Sequence, residues 1–196
     1  MSRITGLALV LILVASALSG CGKSYEFKGT AYPANREAAD FELMASSGDL
    51  YRLSDHQDKV HLLFFGYTSC PDVCPTSLSE ARQVLEGLGD DAEQVQVLFI
   101  TVDPERDSVT KLANYTAAFH PAILGLTGDQ DELAVVRDEY GIIAEKKIFS
   151  ESALGYLVNH TARMFLVDQE GNLSYSYRFK TPAEDILSDV QHLIES

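Results

Sequence analysis

The chain has 196 residues, 46% of them hydrophobic and 22% charged, with a formal net charge of -14 at pH 7. That length carries one domain with a sizeable core plus an appendage, and the composition is that of a globular protein rather than a disordered chain. The acidity argues against nucleic acid, which requires clustered Lys and Arg to neutralise phosphates, and leaves a metal or a cationic partner open.

Arg3 is followed by an uncharged run from Ile4 to Gly20. This is the pattern of an export signal, too short and too rich in small residues at its end for a comfortable membrane span. Leu18-Ser19-Gly20-Cys21 resembles the lipobox of bacterial lipoproteins. The resemblance implies a signal peptide over residues 1–20, cleavage before Cys21 and acylation of the Cys21 thiol, since two or more acyl chains anchor a protein stably where one does not. A plain transmembrane anchor, or an ordinary signal with an incidental cysteine, is the alternative. Export to a bacterial cell envelope puts the two remaining cysteines, Cys70 and Cys74, in an oxidising compartment. There they close a disulfide unless a metal or a reductant keeps them apart.

Residues 21–39 show no sustained apolar period and read as a tether, ahead of one domain over residues 40–196. Phe41 to Met44 and Leu50 to Leu53 alternate around Ser46-Ser47-Gly48-Asp49, which predicts a hairpin. Val60 to Phe65 is a nearly continuous apolar strand of the kind buried inside a mixed or parallel sheet. After Thr68-Ser69-Cys70-Pro71-Asp72-Val73-Cys74-Pro75, the residues Leu78, Ala81, Val84, Leu85 and Leu88 recur at helical spacing, and Gly89 closes the helix. Val95 to Val102 is a second buried strand, and Asp103 to Asp107 is its exit loop. Ser108 caps a helix bearing Val109, Leu112, Tyr115 and Phe119.

Ile123 to Leu126 is a short strand, and Thr127 to Gln130 is a capping-box pattern opening a helix that runs to Tyr140. Ile142 to Phe149 is extended, Ser150 to Gly155 is a loop, and Tyr156 to Thr161 follows it. Arg163 to Val167 and Leu173 to Phe179 form a hairpin. Thr181-Pro182-Ala183-Glu184 is a second capping-box pattern, for a last helix reaching about Ile194. A β-α-β crossover with a closing antiparallel hairpin and a terminal helix describes an α/β fold, a thioredoxin-like three-layer sandwich with an N-terminal hairpin.

Residues four apart on a helix share a face, about 6 Å apart along the axis, so Cys70 and Cys74 can aim both sulfurs at one point. That point holds a metal ion, or the thiols close on each other; spacing alone does not choose. A helix N-terminus also favours anions, which predicts a depressed pKa for at least one thiol. Two thiolates make an incomplete metal site. Of the five histidines, His192 sits on the final amphipathic helix as a surface residue, His61 starts a strand without an evident partner, and His56 and His120 flank loops. His160 ends a Tyr-Leu-Val run just before a strand, where a loop can face the cysteine corner.

The stretch Phe65 to Pro75, then Val102-Asp103-Pro104-Glu105-Arg106-Asp107, then Leu124 to Gly128, then His160-Thr161 before Val167-Asp168, together resemble the Sco/SenC family. These are thioredoxin-fold copper proteins that assist assembly of the binuclear copper centre of cytochrome c oxidase. The resemblance implies that Cys70, Cys74 and His160 bind one copper ion, as Cu(I) or Cu(II). Soft thiolates select Cu(I) and imidazole adds affinity for Cu(II), although zinc accepts the same donors. It also implies as partners the copper-centre subunit of the oxidase and, further, other copper chaperones or thioredoxin-like reductants. The sequence departs from the family at Asn159, where an aspartate commonly precedes the histidine. Asp72 reads as first-turn acidity complementing the helix dipole. Asp103, Glu105 and Arg106 read equally well as a brace beside the site or as capping and surface ion pairs. The function implied is a lipid-anchored copper chaperone. The alternatives are a thiol-disulfide oxidoreductase working through Cys70 and Cys74 on the apo-oxidase or other envelope proteins, and, more weakly, a peroxidatic thiol protein.

Overall fold

The computed structural model describes residues 25–148 and 155–196; the signal segment, Cys21 and nearly all of the loop expected over Ser150 to Gly155 lie outside the described residues. The elements are β1 (Thr30–Ala31), β2 (Glu42–Ala45), β3 (Leu50–Arg52), β4 (Val60–Gly66), α1 (Val73–Leu88), β5 (Val95–Thr101), α2 (Val109–Ala117), β6 (Ile123–Thr127), α3 (Gln130–Glu139), β7 (Ala144–Ile148), β8 (Tyr156–His160), β9 (Arg163–Val167), β10 (Leu173–Arg178) and α4 (Ala183–Glu195). Eight strands form one sheet in the order β1-β10-β9-β4-β5-β6-β2-β3, while β7 and β8 make a separate two-stranded ribbon.

Every residue of β4 is buried. It lies between β5, parallel to it, and β9, antiparallel to it. Alternation along the strand sends Phe64 and Gly66 to one face and His61 and Phe65 to the other. On the first face Gly66 meets Cys74 of α1, and the cross-strand neighbour Phe99 meets Tyr115 of α2. Gly87 of α1 sits under Leu187 of α4 so closely that an added Cβ would be 2.5 Å from a Leu187 methyl. On the second face Phe65 and Phe165 pack against Tyr140, at the end of α3. Helices on both faces of a mixed sheet make the three-layer, thioredoxin-like arrangement, and the predicted β2–β3 hairpin extends one edge beyond β6.

The structure differs from the expectations in three places. Residues from Tyr25 onward, which read as tether, lie on the fold: β1 pairs with β10, and the buried Asp189 carboxylate of α4 accepts from Tyr25 Oη (2.7 Å), Gly29 N (2.9 Å) and Tyr177 Oη (3.0 Å). These bonds are polar and distant in sequence, so apolar periodicity carries no trace of them. The helix predicted to open at Thr127 is capped instead by Asp129, which forms a capping box with Glu132, because Thr127 is still in β6 opposite Met44. Thr181 does not cap α4; its hydroxyl donates to the Arg178 carbonyl at 2.9 Å.

Candidate metal centre

The C-terminal ends of β4 and β5 stand side by side, with Gly66 opposite Thr101. The buried carboxylate of Asp107 ties the two exits together, accepting from Thr68 N (3.0 Å), from the Thr68 hydroxyl and from Thr101 Oγ1 (2.8 Å), with Lys111 Nζ at 3.4 Å as counter-charge. A carboxylate taken out of water needs such a full set of donors. The result is a fixed start for the loop that carries Cys70 into α1.

Cys70 is half-buried and Cys74 is buried, both as free thiols. Asp72 is the N-cap of α1 but makes no side-chain capping bond. Cys70 Sγ takes that role, accepting from the Cys74 amide at 3.4 Å. The hydrogen bond from the Cys74 thiol, with the first-turn amides, holds the Cys70 thiol well below the ordinary thiol range, against the opposing effect of burial. Burial pushes the Cys74 thiol up, and the neighbouring Cys70 pushes it further. Without copper the pair is therefore an accessible thiolate in front of a buried thiol. Gly66 makes room for the second sulfur: a Cβ there would lie 2.8 Å from Cys74 Sγ and 2.7 Å from Phe99 Cε2.

His160 ends β8, on the ribbon outside the main sheet. Its Nε2 is 3.4 Å from Cys74 Sγ. Its Nδ1 donates to the Thr161 carbonyl at 3.2 Å, the tautomer that turns a lone pair on Nε2 toward the sulfurs. Tyr67 and Phe64 hold the ring edge-to-face, with centroids 5.8 and 6.1 Å away. The ribbon itself is anchored by the Asp103–Asp107 loop. Asp103, buried, accepts from Arg106 Nε and from Tyr156 Oη (2.7 Å); Arg106 Nη1 donates to the Tyr156 carbonyl (3.1 Å); Lys146 of β7 pairs with Glu105 at 2.6 Å. Tyr67 Oη accepts the Val158 amide at 3.2 Å.

Cys70 Sγ, Cys74 Sγ and a His160 ring nitrogen all lie within 4.8 Å of one another. The donor set fits copper: two sulfurs suit Cu(I), and the imidazole adds affinity for Cu(II). A groove of about 280 Å³ between Pro71–Val73 and Leu157–His160 leads to Cys70.

The remaining histidines stand elsewhere. His61 is buried with Nε2 2.9 Å from Tyr51 Oη; His56 stacks on Tyr51; His120 accepts the Ala122 amide; and His192, expected on the open surface, stacks on Tyr25 at 4.1 Å between centroids. Cys21 lies outside the described residues. Asp107, Tyr67 and Gly66 support the site without having been singled out from the sequence. The position of Asp107, a carboxylate closing a strand-exit loop beside the cysteine corner, was the one available hint.

The family model described as SCO1/SenC matches residues 29–195. Among solved structures, Bradyrhizobium japonicum ScoI with copper bound is 37% identical, with a TM-score of 0.74 over 80% of this chain and 99% of that one. The apo Sco1 protein from Thermus thermophilus is 39% identical, with a TM-score of 0.76 over 88% of this chain and 99% of that one. A SCO2-like protein from Rickettsia felis is 30% identical, the match covering 89% of this chain and 92% of that protein.

Proposed function

Because the chain belongs to the SCO1/SenC family, we propose that it is a copper metallochaperone. It takes one copper ion through Cys70, Cys74 and His160 and passes it to the copper-centre subunit of cytochrome c oxidase during assembly. The observation that carries this reading is the convergence of two sulfurs and one imidazole nitrogen within 4.8 Å, at the head of an open groove. A store would enclose its ion. Here Cys70 lines the groove and is partly exposed while Cys74 is buried, so an incoming ligand meets copper on the Cys70 side. Exchange then proceeds by replacing one sulfur at a time. The export signal and the lipobox-like Leu18 to Cys21 support a lipid anchor at Cys21, which holds the domain on a membrane of the bacterial envelope beside its recipient.

The test is copper loading of the reduced chain beside His160→Ala, read by X-ray absorption and by competition with a chelator. Wild type takes one copper with sulfur and nitrogen neighbours, and His160→Ala loses the nitrogen and about tenfold or more in affinity. Equal affinities overturn the three-ligand site.

The accessible Cys70 thiolate in front of the Cys74 thiol favours a second reading, a thiol-disulfide oxidoreductase. Cys70 attacks one sulfur of an oxidised cysteine pair, and Cys74, losing its proton, resolves the mixed disulfide. The partner gains two electrons and leaves as two thiols, taking one proton from Cys74 and the other from solvent, and Cys70–Cys74 becomes the disulfide. A thioredoxin-like reductant then restores the dithiol. This chemistry does not require His160 as a ligand, so unchanged disulfide reduction by copper-free His160→Ala supports it, and no reduction by wild type removes it.

A further inference from the structure

Among the described residues no third strand pairs with the β7–β8 ribbon, and Glu145 to Ile148 of β7 are all exposed, Ile148 at 81%. A ribbon of only two strands is marginal in water. On β8 the Tyr156 carbonyl accepts from Arg106 and the Val158 amide donates to Tyr67, so both residues turn backbone groups away from β7. Facing residues of an antiparallel pair either exchange hydrogen bonds or both turn away, in alternation. Ile148 and Lys146, the cross-strand partners of Tyr156 and Val158, therefore present their N–H and C=O groups on the outer edge, and Ala144 continues the alternation. The Thr161 amide donating to the Ile143 carbonyl at 3.0 Å has the same phase.

A free edge is ordinarily guarded by an unpaired lysine, a proline or a bulge. β7 has no proline, pairs with β8 without a register shift, and has both lysines neutralised, Lys146 by Glu105 at 2.6 Å and Lys147 by Glu145 at 3.5 Å. The strand reads Ala144-Glu145-Lys146-Lys147-Ile148. Laid antiparallel to itself about Lys146, it sets Glu145 against Lys147 of the second copy, Lys147 against Glu145, and Ala144 against Ile148. The backbone agrees with that register. Ala144, Lys146 and Ile148, which face outward, meet as the hydrogen-bonded pairs, while Glu145 and Lys147 meet as the other kind, where side chains come closest. Lys146 meets its own copy, but each ammonium is drawn off to Glu105 and lies 4.9 Å from the Tyr156 ring centroid.

We propose that β7 is a self-association edge: two copies of the chain pair β7 to β7, antiparallel about Lys146, into one four-stranded ribbon in the order β8-β7-β7-β8. An acid and a base placed symmetrically about a central residue are complementary to their own reversal, which selects a second copy over an unrelated strand. A parallel pairing in register sets Glu145 against Glu145 and Lys147 against Lys147, so the charges also select the direction. The strand is short and mostly polar, and the contact belongs with the small, transient interfaces. β7 contributes no residue to the groove that leads to Cys70, yet it is the strand against which β8, and with it His160, is paired.

The experiment is sedimentation equilibrium of the full chain in density-matched detergent, with micelles in excess so that two chains do not share one by chance. Wild type gives a monomer–dimer equilibrium with a Kd on the order of 100 µM. Lys147→Glu sets acid against acid and Glu145→Lys sets base against base, so each variant alone self-associates about tenfold or more weakly. Mixed together, the two variants pair at about the wild-type Kd, and the double reversal in one chain, Glu145→Lys with Lys147→Glu, restores self-association. Recovery in both cases shows that the single variants are folded. Ile148→Pro removes an N–H from the outer edge while leaving the bonds to β8 in place, and it weakens the dimer to a similar extent. A wild-type chain that stays monomeric at about 1 mM overturns the proposal. So do single reversals that dimerise like wild type, or a mixture of the two that remains monomeric.

Discussion

The guanidinium carbon of Arg106 lies 3.7 Å over the ring centroid of Tyr156, and the same guanidinium donates to the Tyr156 carbonyl while its neighbour Asp103 accepts the Tyr156 hydroxyl. Tyr156 is the first residue of β8 and His160 the last. One ligand of the site therefore rides on a ribbon that the main sheet does not hold, latched through a loop that belongs to β5.

That arrangement predicts a loss of copper affinity from residues that do not touch the metal site. Arg106→Ala removes the stacked cation and leaves the buried Asp103 carboxylate short of a partner, so the His160 position is no longer prepaid by the fold. A stacking contact of about 0.5–2 kcal/mol plus one charged hydrogen bond corresponds to a roughly tenfold or larger weakening of copper binding. Arg106→Lys recovers little, because an ammonium neither stacks as a plane nor forks between Asp103 and the Tyr156 carbonyl. Chelator competition on each variant, with far-UV circular dichroism to confirm the fold, is the measurement; wild-type affinity in Arg106→Ala rules the latch out.

The same loop shows how far a sequence can be read. Val60 to Phe65 and Val95 to Val102 announced the central strands, since an unbroken apolar run needs no partner information to be recognised. The cysteine pair and His160 were likewise legible as residue types in a pattern. What could not be read was the support: Asp107 under Thr68, Asp189 under Tyr25 and Gly29, and the pairing of β7 with β8. Those contacts are polar, lie far apart in the chain and have no period. The β7–β8 pairing hides especially well, because β7 buries none of its residues and so carries no alternating apolar signal.

Gly66→Ala tests how closely β4 approaches the metal centre. The new methyl would stand 2.8 Å from Cys74 Sγ and 2.7 Å from Phe99 Cε2, and neither neighbour is a flexible chain end. Overpacking of this kind costs about 1–3 kcal/mol in urea unfolding, and because Cys74 is one of the displaced atoms, copper affinity falls with it. A variant as stable as wild type with unchanged copper binding contradicts the geometry.

Alkylation kinetics should separate the two thiols. Cys70 is held as thiolate by donors from Cys74 and the first turn of α1, so its rate with iodoacetamide in the reduced, copper-free chain stays nearly constant from about pH 8 down to about pH 5. An ordinary thiol slows about tenfold per pH unit over that range. Cys74, buried and pushed up, is modified only after unfolding. Mass spectrometry of peptides containing each residue gives both rates. A Cys70 rate that tracks pH like a free thiol, or equal labelling of the two, counts against the assignment.

His61 gives the fold a pH dependence whose sign is fixed by its burial. Loss of water pushes its pKa down to about 4, with His56 and Lys59 adding to the shift and Asp58 and the Lys59 backbone opposing it. Glu37, Asp40, Asp168 and Glu170 line a surface recess that His61 also borders, and none of them forms a hydrogen bond or ion pair with the ring among the described residues. In the unfolded chain the ring takes a proton near pH 6.5. The folded form thus binds fewer protons between those values, and the stabilisation that is whole above about pH 6.5 is lost as pH falls through 4. Full expression of that difference is on the order of 3 kcal/mol. Replacing the ring by an uncharged one, His61→Phe, lowers stability at pH 7 by removing the Tyr51 contact but flattens the decline between pH 6.5 and 4 relative to wild type. Urea midpoints of the two proteins at pH 7, 5.5 and 4 measure it as a difference, which cancels the carboxylates common to both. Parallel declines would mean that His61 is not the group that titrates.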